Sequence, residues 1–282
     1  MVDDPRVVRL IEEALAEDIG KGDLTTESVV PEGSQGRAEV ILKQRAMVAG
    51  LEVCGLVFHT VDEGIRFVPR AAEGVILEPG TVVAEVAGSI KSILTAERVA
   101  LNILQRMSGI ATRTKLFVEA VAGTWARITD TRKTAPGLRL LDKFAVRIGG
   151  GINHRSRLDE MILVKDNHIA AAGGVASAIK AVLAAIERGN LTIPLEVEVK
   201  NLDDLREVLR FKAVRRILLD NFPISDLKNA VSVVNGRAEL EASGGITLET
   251  VRSVAETGVD FISVGALTHS VAAVDLSLKL RE

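Results

Sequence analysis

The chain has 282 residues, of which 47% are hydrophobic and 26% charged, the balance of a globular rather than a disordered protein. Its net charge of −3 and its aromatic content of 3% disfavour a general nucleic-acid binder. A single cysteine excludes an internal disulfide and a cysteine-rich metal cluster. The charged segment Met1–Leu10 is unlike a signal peptide, and no stretch reaches the roughly 18 apolar residues of a membrane helix. We therefore expect a cytoplasmic, metabolic protein.

The first part of the chain mixes helices and short strands in irregular order. This order is typical of a small α+β domain. An apolar stripe at helical spacing, formed by Val8, Ile11, Leu15 and Ile19, predicts a helix that ends at Gly20. The predicted elements are helices over 5–19 and 51–61 and strands over 37–42, 65–68 and 82–86.

A long helical pattern follows over residues 96–122, and we expect it to break near Ser108–Gly109. Two isolated residues favour plain structural roles. Cys54 is expected to be a small buried apolar group, and Trp125 is expected to pack at the junction between the domains.

From residue 127 onwards, short β-rich segments alternate with helical ones. The later strands recur about every 21 to 23 residues, which is room for one βα unit each. This alternation implies a parallel sheet, and repeated βα units favour a closed or nearly closed barrel. The six predicted strands cover residues 127–129, 161–164, 195–199, 216–219, 238–242 and 261–264.

Each predicted strand ends on polar or glycine residues. Active sites of βα barrels lie at the carboxyl ends of the strands, so these segments should meet at one rim. The segments are Asp130–Thr134, Lys165–His168, Glu198 with Lys200, Asp220–Asn221, Ser243–Gly245 and Gly265–Ala266.

The residues at this rim are of three kinds: carboxylates, glycine turns and cationic side chains. The carboxylates of Glu198 and Asp220 suit ribose hydroxyls or a hard cation such as Mg²⁺. The turns Ser243–Gly245 and Gly265–Ala266 precede helices, an arrangement that suits phosphate. The cationic group comprises Arg132, Lys133, Arg139, Lys143, Arg147, His154, Arg155, Arg157 and Lys165. Together they predict the transfer of a phosphorylated sugar to an acidic acceptor.

Several ordered sequence blocks give the chain a family resemblance over nearly its whole length. The chain resembles the quinolinate phosphoribosyltransferases, the decarboxylating pentosyltransferases of NAD biosynthesis. The blocks are Gly22–Thr26, Asn102–Thr112, Thr131–Thr134, Gly149–Arg155, Val164–His168, Leu219–Phe222, Glu241–Ile246 and Val264–Ser270.

The resemblance implies a reaction and a fold. Quinolinate and 5-phosphoribosyl 1-pyrophosphate, with Mg²⁺, would give nicotinate mononucleotide, pyrophosphate and carbon dioxide. The α/β fold would be an N-terminal α/β sandwich over residues 1–108 and an open, incomplete β/α barrel of six or seven strands over 109–270. Residues 271–282 would form a helix packed back on the first domain. The family also implies a homodimer with shared sites, which could assemble further into a hexamer.

The resemblance also assigns site residues. Glu198 and Asp220 would lie on the ribose and metal side, with Mg²⁺ held mainly through the donor. Glu196 competes for the glutamate role, and Glu198 is chosen because it lies nearer the strand end. Quinolinate would be held by Thr131, Arg132, Lys133, His154, Arg155, Lys165 and the partner subunit's Arg106. Phosphate would be held by Ser243, Gly244, Gly245, Val264, Gly265 and Ala266.

Three other functions remain open from the residues. The first is a relative that uses a different acid, such as nicotinate, without decarboxylation. The second is a Schiff-base aldolase with Lys165 or Lys200 as nucleophile, which leaves the many arginines unexplained. The third is a sensor that binds a phosphorylated ligand without turnover.

Overall fold

The structure is a computed structural model and describes residues 1–281. The chain divides into two compact units, each built from separate stretches of sequence. The first unit contains Met1–Lys115, Ala135–Gly150 and the segment that starts at Leu267, and the second contains Leu116–Thr134 and Gly151–Ala266. The sequence-based domains were continuous ranges, because local patterns do not reveal that residues 135–150 group with an earlier part of the chain.

The first unit combines helices with an antiparallel sheet. The helices are α1 (Pro5–Ile19), α2 (Leu24–Val29), α3 (Leu51–Val61), α4 (Ile90–Ala120, whose last residues enter the second unit) and α5 (Arg139–Ile148). The strands are β1 (Gln35–Leu42), β2 (Ala46–Met47), β3 (Arg66–Pro69), β4 (Ile76–Leu77), β5 (Val82–Ser89) and β12 (Leu276–Arg281). Four strands form a sheet in the order β12-β1-β5-β3, and β2 pairs with β4.

Helix α1 shows how local signals set its ends. Asp4 caps the first turn by accepting the backbone N–H of Arg6 at 2.9 Å, and Pro5 occupies the first helical position. The helix stops at Gly20, which has a φ of 57°. The bounds of the predicted helix are confirmed. Ile11 and Leu15 of the predicted stripe are buried, whereas Val8 and Ile19 are only partly buried and Val7 is buried instead.

Helix α4 differs from its prediction because it runs through Ser108–Gly109 without a break. A Cβ atom on Gly109 would lie 2.2 Å from the carbonyl oxygen of Ala272, so glycine is needed for close approach. Ser108 accepts the backbone N–H of Ala49 at 3.2 Å through its hydroxyl group. The small residues therefore serve packing within the first unit, and the predicted break is wrong.

The C-terminal segment is a strand and not the predicted helix. Leu276, Leu278 and Leu280 alternate with polar residues, a period of two that suits a sheet. Strand β12 pairs antiparallel with β1, with Leu276 opposite Leu42. The final residue of the predicted segment, Glu282, lies outside the described residues.

The second unit is a parallel sheet with interspersed helices, and all six predicted strands are present. The strands are β6 (Arg127–Thr129), β7 (Ile162–Val164), β8 (Leu195–Val199), β9 (Arg216–Asp220), β10 (Glu239–Ser243) and β11 (Phe261–Ser263). The helices are α6 (Asp166–Ala172), α7 (Val175–Gly189), α8 (Leu202–Val208), α9 (Ile224–Val234), α10 (Leu248–Ala255) and α11 (Ala266–His269).

The strand order in this sheet is β6-β11-β10-β9-β8-β7, and every pairing is parallel. The end strands β6 and β7 do not pair with each other, so the predicted open barrel is confirmed. A single parallel bridge joins Thr129 to Ile152 beside β6. Because the strands run the same way, all their carboxyl ends lie along one rim.

Two single-residue predictions have opposite outcomes. Cys54 is fully buried, and burial raises the pKa of its thiol to about 12, as expected for an inert apolar group. Trp125, expected at a packed junction, is 91% exposed, so that prediction is wrong. It lies in the turn between α4 and β6, where a local sequence pattern cannot reveal whether an apolar neighbour is present.

No single helix among residues 1–281 is long and apolar enough to cross a membrane. One helix pair, α6 and α7, meets the length and composition criteria when combined, with a bend of 90° between the two helices.

Candidate active site

The strand order places like groups next to each other along the rim of the second unit. Strands β8 and β9, which carry Glu198 and Asp220, are neighbours. The next pair, β10 and β11, leads into the glycine segments Ser243–Gly245 and Val264–Ala266. Lys165 follows edge strand β7, beside β8. Two carboxylates therefore lie between a lysine on one side and two glycine turns on the other.

Lys165 and Glu198 form an ion pair across neighbouring strand ends. The distance from Lys165 Nζ to Glu198 Oε2 is 3.1 Å. The lysine side chain is 47% exposed, whereas the glutamate side chain is only 10% exposed. The backbone N–H of Lys165 donates to Nδ1 of His168 at 2.9 Å, which fixes the residue at the start of α6. The ammonium group is thus accessible from solvent at the rim.

Two arginines at the rim lie close enough to affect each other. Partial burial, together with the positive charge of Arg132, lowers the pKa of the Arg155 guanidinium from its ordinary value. Arg155 Nη1 donates to the carbonyl oxygen of Met161 at 2.8 Å, which directs the side chain. Each of these guanidinium groups can bind a carboxylate through two parallel hydrogen bonds, so the pair favours a ligand with more than one negative charge.

The loop that carries Arg155 is tied to the end of β6 by a fully buried carboxylate. Asp130 Oδ1 accepts the backbone N–H of His154 at 2.8 Å. Asp130 Oδ2 accepts a hydrogen bond from Nδ2 of Asn153 at 2.6 Å. Sequence reasoning placed Asp130 at the rim but gave it no role. The signal available was an acidic residue directly after a strand.

The two glutamates of β8 point to the same face of the sheet but lie at different depths. Glu196 is fully buried, and its Oε2 is 3.0 Å from His154 Nε2. Glu198 lies nearer the rim, where it contacts Lys165. Residues two apart on a strand share a face, so the two glutamates differ only in their depth along the strand, which is the ground on which the sequence favoured Glu198. This arrangement supports the choice of Glu198 for the rim.

The turn after β10 is tightly packed against the turn after β9. A Cβ atom on Gly244 would lie 2.2 Å from Oδ1 of Asn221, and Gly244 has a φ of 95°. Asn221 itself adopts a φ of 56°, and its N–H donates to the carbonyl oxygen of Ser243 at 2.8 Å. Gly245 also has a positive φ, of 61°. Only glycine fits at position 244, because a side chain there would combine an unfavourable φ with a clash against Asn221.

The remaining predicted site residues divide between the two units. Lys133 follows Thr131, whose hydroxyl oxygen accepts the Lys133 backbone N–H at 3.0 Å. Arg106 belongs to the first unit, where it pairs with the buried carboxylate of Asp142. The second unit carries Thr131, Arg132, Lys133, His154, Arg155, Lys165, Glu198, Asp220 and both glycine segments.

Glu241 is a further buried ionisable residue that sequence reasoning left without a role. Burial and the negative charge of Glu196 raise the pKa of Glu241 from 4.5 to about 7. Its Oε2 lies 3.6 Å from His154 Nε2 and 3.4 Å from Arg216 Nη1. The signal in the sequence was an acidic residue inside an otherwise buried strand segment.

Family models match most of the chain. The model described as quinolinate phosphoribosyl transferase, N-terminal domain, matches residues 23–108, and the corresponding C-terminal domain model matches residues 110–279. These two matches follow the chain in order.

Similar proteins agree with the family models. A chloroplastic nicotinate-nucleotide pyrophosphorylase [carboxylating] from Arabidopsis thaliana is 44% identical over 286 residues, covering 96% of this chain and 82% of that protein. The Mycobacterium leprae protein with the same enzyme name is 45% identical, covering 96% and 95%. A solved structure of the Francisella tularensis nicotinate-nucleotide pyrophosphorylase has a TM-score of 0.90 at 39% identity, covering 98% and 96%. On these grounds the chain belongs to the quinolinate phosphoribosyl transferase family.

Proposed function

We propose that this protein transfers the phosphoribosyl group of 5-phosphoribosyl 1-pyrophosphate to quinolinate and releases carbon dioxide. The other products are nicotinate mononucleotide, the nucleotide used in NAD biosynthesis, and pyrophosphate. The single observation that carries the proposal is the rim of the second unit. There, Arg132 follows β6, Asp130 ties the loop that carries Arg155 to the end of the same strand, and Glu198 and Asp220 occupy neighbouring strand ends.

The cationic side of the rim suits a planar dicarboxylate. Arginine can bind a carboxylate through two parallel hydrogen bonds, so Arg132 and Arg155 are assigned to the two carboxylates of quinolinate. Lys133 and Lys165 add positive charge, and Thr131 lies in the same segment as Arg132. These contacts would hold the pyridine ring in one orientation.

The opposite side suits the sugar donor. Carboxylates of Glu198 and Asp220 can accept hydrogen bonds from ribose hydroxyls. The turns Ser243–Gly245 and Val264–Ala266 lie after adjacent strands, and phosphate sites of βα barrels commonly use the last such loops. Helix α10 begins shortly after the first turn, so its N-terminus adds a favourable dipole for an anion.

The same carboxylates fit the Mg²⁺ that the resemblance implies. Glu198 and Asp220 offer hard oxygen ligands at neighbouring strand ends, which is the donor type that Mg²⁺ prefers. We propose that Mg²⁺ is held mainly through the donor, near these two residues. When bound, it would neutralise the departing pyrophosphate.

The chemistry needs positioning rather than a protein nucleophile. The pyridine nitrogen forms a bond to the anomeric carbon of the ribose while the bond from that carbon to pyrophosphate breaks. The transition state has oxocarbenium character, as in glycoside cleavage. Residues at the rim hold the two reactants in line and exclude alternative orientations.

Decarboxylation follows from the charge on the product ring. Once its nitrogen is glycosylated, the ring is positive, and loss of carbon dioxide leaves an electron pair on the adjacent carbon that this charge stabilises. A proton from solvent then takes the place of the lost carboxylate. We propose that burial at the strand ends keeps that carboxylate poorly solvated.

The assay that tests the function follows label from the carboxylate next to the ring nitrogen. Labelled carbon dioxide should be released only when quinolinate, 5-phosphoribosyl 1-pyrophosphate and Mg²⁺ are all present. Nicotinate, offered as the alternative acceptor, should give no nucleotide. Nucleotide formation from nicotinate, or no release of label, would contradict the proposal.

We further propose a cytoplasmic homodimer with shared sites, which can assemble further into a hexamer. We propose no nucleic-acid or membrane partner. In the homodimer, the partner subunit's Arg106 completes the quinolinate site. Inactive Arg106→Ala and Lys165→Ala proteins, mixed under conditions of proven subunit exchange, should recover activity, because some heterodimer sites are then intact. No recovery would exclude the shared site.

A further inference from the structure

A buried polar cluster lies beneath the rim of the second unit, and the proposed chemistry does not use it. It consists of His154, Glu196 and Glu241. One ligand-type atom from each residue lies within 4.8 Å of the others. The side chains of Glu196 and Glu241 are 0% and 1% exposed, and that of His154 is 6% exposed. The cluster therefore has little access to solvent or to a substrate.

The hydrogen bonds of His154 determine which ring nitrogen carries the hydrogen. The backbone N–H of Arg155 donates to Nδ1 at 2.8 Å, so Nδ1 must be the acceptor. The hydrogen of the neutral ring is then on Nε2, which faces Glu196 Oε2 at 3.0 Å. Both ring nitrogens are engaged inside the protein, whereas the resemblance implied that His154 contacts quinolinate.

The buried cluster is not expected to add to the stability of the folded protein. One oxygen of each carboxylate, Oε1 of Glu196 and Oε1 of Glu241, is buried without a hydrogen-bond partner among the described residues. Arg216 compensates part of the charge, with Nη1 at 3.4 Å from Glu241 Oε2. Buried charges of this kind are often no more stable than apolar residues of the same volume. A role in positioning explains why carboxylates occupy these sites.

We propose that Glu196 is a positioning residue for Arg155, acting through the ring of His154. Glu196 holds Nε2, which fixes the ring, and the ring in turn holds the backbone N–H of Arg155. Asp130 fixes the backbone of His154 from the other side. The guanidinium group of Arg155 is thereby presented at the rim in one place. This inference rests on the proposed function, because it concerns how the quinolinate-binding arginine is oriented.

Two substitutions at position 196 distinguish the effect of the side chain's length from the effect of its charge. Glu196→Asp keeps the carboxylate but withdraws it by one methylene, so it no longer reaches Nε2. Glu196→Gln loses the charge but keeps a carbonyl oxygen that can accept the Nε2–H hydrogen. We expect Glu196→Asp to raise KM for quinolinate by about tenfold, since a small misplacement of a binding group weakens binding strongly. The Gln variant should stay within about threefold of wild type, which is under about 0.7 kcal/mol.

The matched control is Glu239→Asp, the same change on β10, two residues before Glu241. The side chain of Glu239 is 48% exposed and pairs with Arg216. The KM values of this variant should equal those of wild type. For every variant, KM for 5-phosphoribosyl 1-pyrophosphate should change by less than about twofold. An equal rise in both KM values, a Gln variant worse than the Asp variant, or no change in Glu196→Asp would overturn the positioning role.

Amide hydrogen exchange supplies a readout that needs no catalysis. The peptide containing the Arg155 amide should exchange faster in Glu196→Asp than in wild type or Glu196→Gln, at unchanged thermal unfolding midpoint. Unchanged exchange would overturn the inference even if the protein proved not to bind quinolinate. Calorimetric binding of quinolinate to wild type tests the proposed function separately. A stoichiometric metal ion in the purified protein that is lost in Glu196→Gln would also overturn it, because the cluster would then be a metal centre.

Discussion

Arg106 and Asp142 form a two-pronged ion pair inside the first unit. Arg106 Nε lies 2.8 Å from Asp142 Oδ1, and Arg106 Nη2 lies 2.8 Å from Asp142 Oδ2. The aspartate side chain is fully buried, whereas the arginine side chain is 27% exposed. Arg106 Nη2 also donates to the carbonyl oxygen of Thr268 at 3.2 Å. The arginine is thus held in a single orientation before any ligand binds.

This geometry predicts a stability effect at Arg106. Arg106→Ala would leave the buried Asp142 carboxylate without its partner, and we expect a loss of roughly 3 kcal/mol in the free energy of unfolding. The double variant Arg106→Met with Asp142→Leu should recover most of that loss, because no charge is then left buried. Urea unfolding of the three proteins measures the effect. A double variant as unstable as Arg106→Ala would show that the loss comes from packing alone.

The division of the rim predicts selective effects on the two substrates. Arg132→Ala or Arg155→Ala should weaken quinolinate binding by roughly tenfold to a hundredfold, since a charged hydrogen bond contributes about 1.5–3 kcal/mol. The affinity for 5-phosphoribosyl 1-pyrophosphate should change much less. Calorimetry with each substrate separately makes the comparison. Equal losses for both substrates would contradict the assignment of the two sides.

The glycine turn after β10 predicts a contrast between adjacent positions. Gly244→Ala would place a methyl group 2.2 Å from Asn221 Oδ1, in addition to the strain of a positive φ. Gly245→Ala brings strain from its positive φ, but its Cβ atom would meet nothing within 4 Å. We therefore expect Gly244→Ala to raise KM for the sugar donor more than Gly245→Ala does. Gly236→Ala, which also has a positive φ and open space, controls for strain away from the rim. Equal KM changes at positions 244 and 245 would remove the steric argument.

Glu241 predicts a dependence of stability on pH. Its pKa is raised from 4.5 to about 7 in the folded protein, chiefly by burial and then by the charge of Glu196. The folded state therefore binds this proton more tightly than the unfolded state. The stabilisation is complete below the unfolded pKa and is lost as the pH rises through the folded pKa.

Glu241→Gln removes that dependence. Between about pH 5 and about pH 8, the variant should gain stability relative to wild type, by at most about 3 kcal/mol. Unfolding free energies of both proteins at the two pH values measure the change. A difference between the proteins that is the same at both values would show that Glu241 does not titrate in this range.

Much of the second unit could be predicted from sequence, because its signals are local. A buried strand followed by a polar turn and a helix repeats at regular spacing, so strands β6–β11 and the residues at their carboxyl ends were recognisable one unit at a time. The ends of α1 were likewise set by neighbours in sequence, Asp4 and Gly20. Family blocks added the names of the substrates.

The tertiary structure decided what depends on residues far apart in the chain. Helix α4 continues through Gly109, and the close approach of Ala272 explains why that position is glycine. Strand β12 forms because β1 offers it an edge to pair with. Glu196 and Glu198 share one face of a strand. The sequence favoured Glu198 for the rim, but only the folded chain shows that Glu196 contacts His154 and Glu198 contacts Lys165. Local sequence specifies periodicity and turns, whereas burial and partner choice arise when distant segments pack together, so these features could be read only from the folded chain.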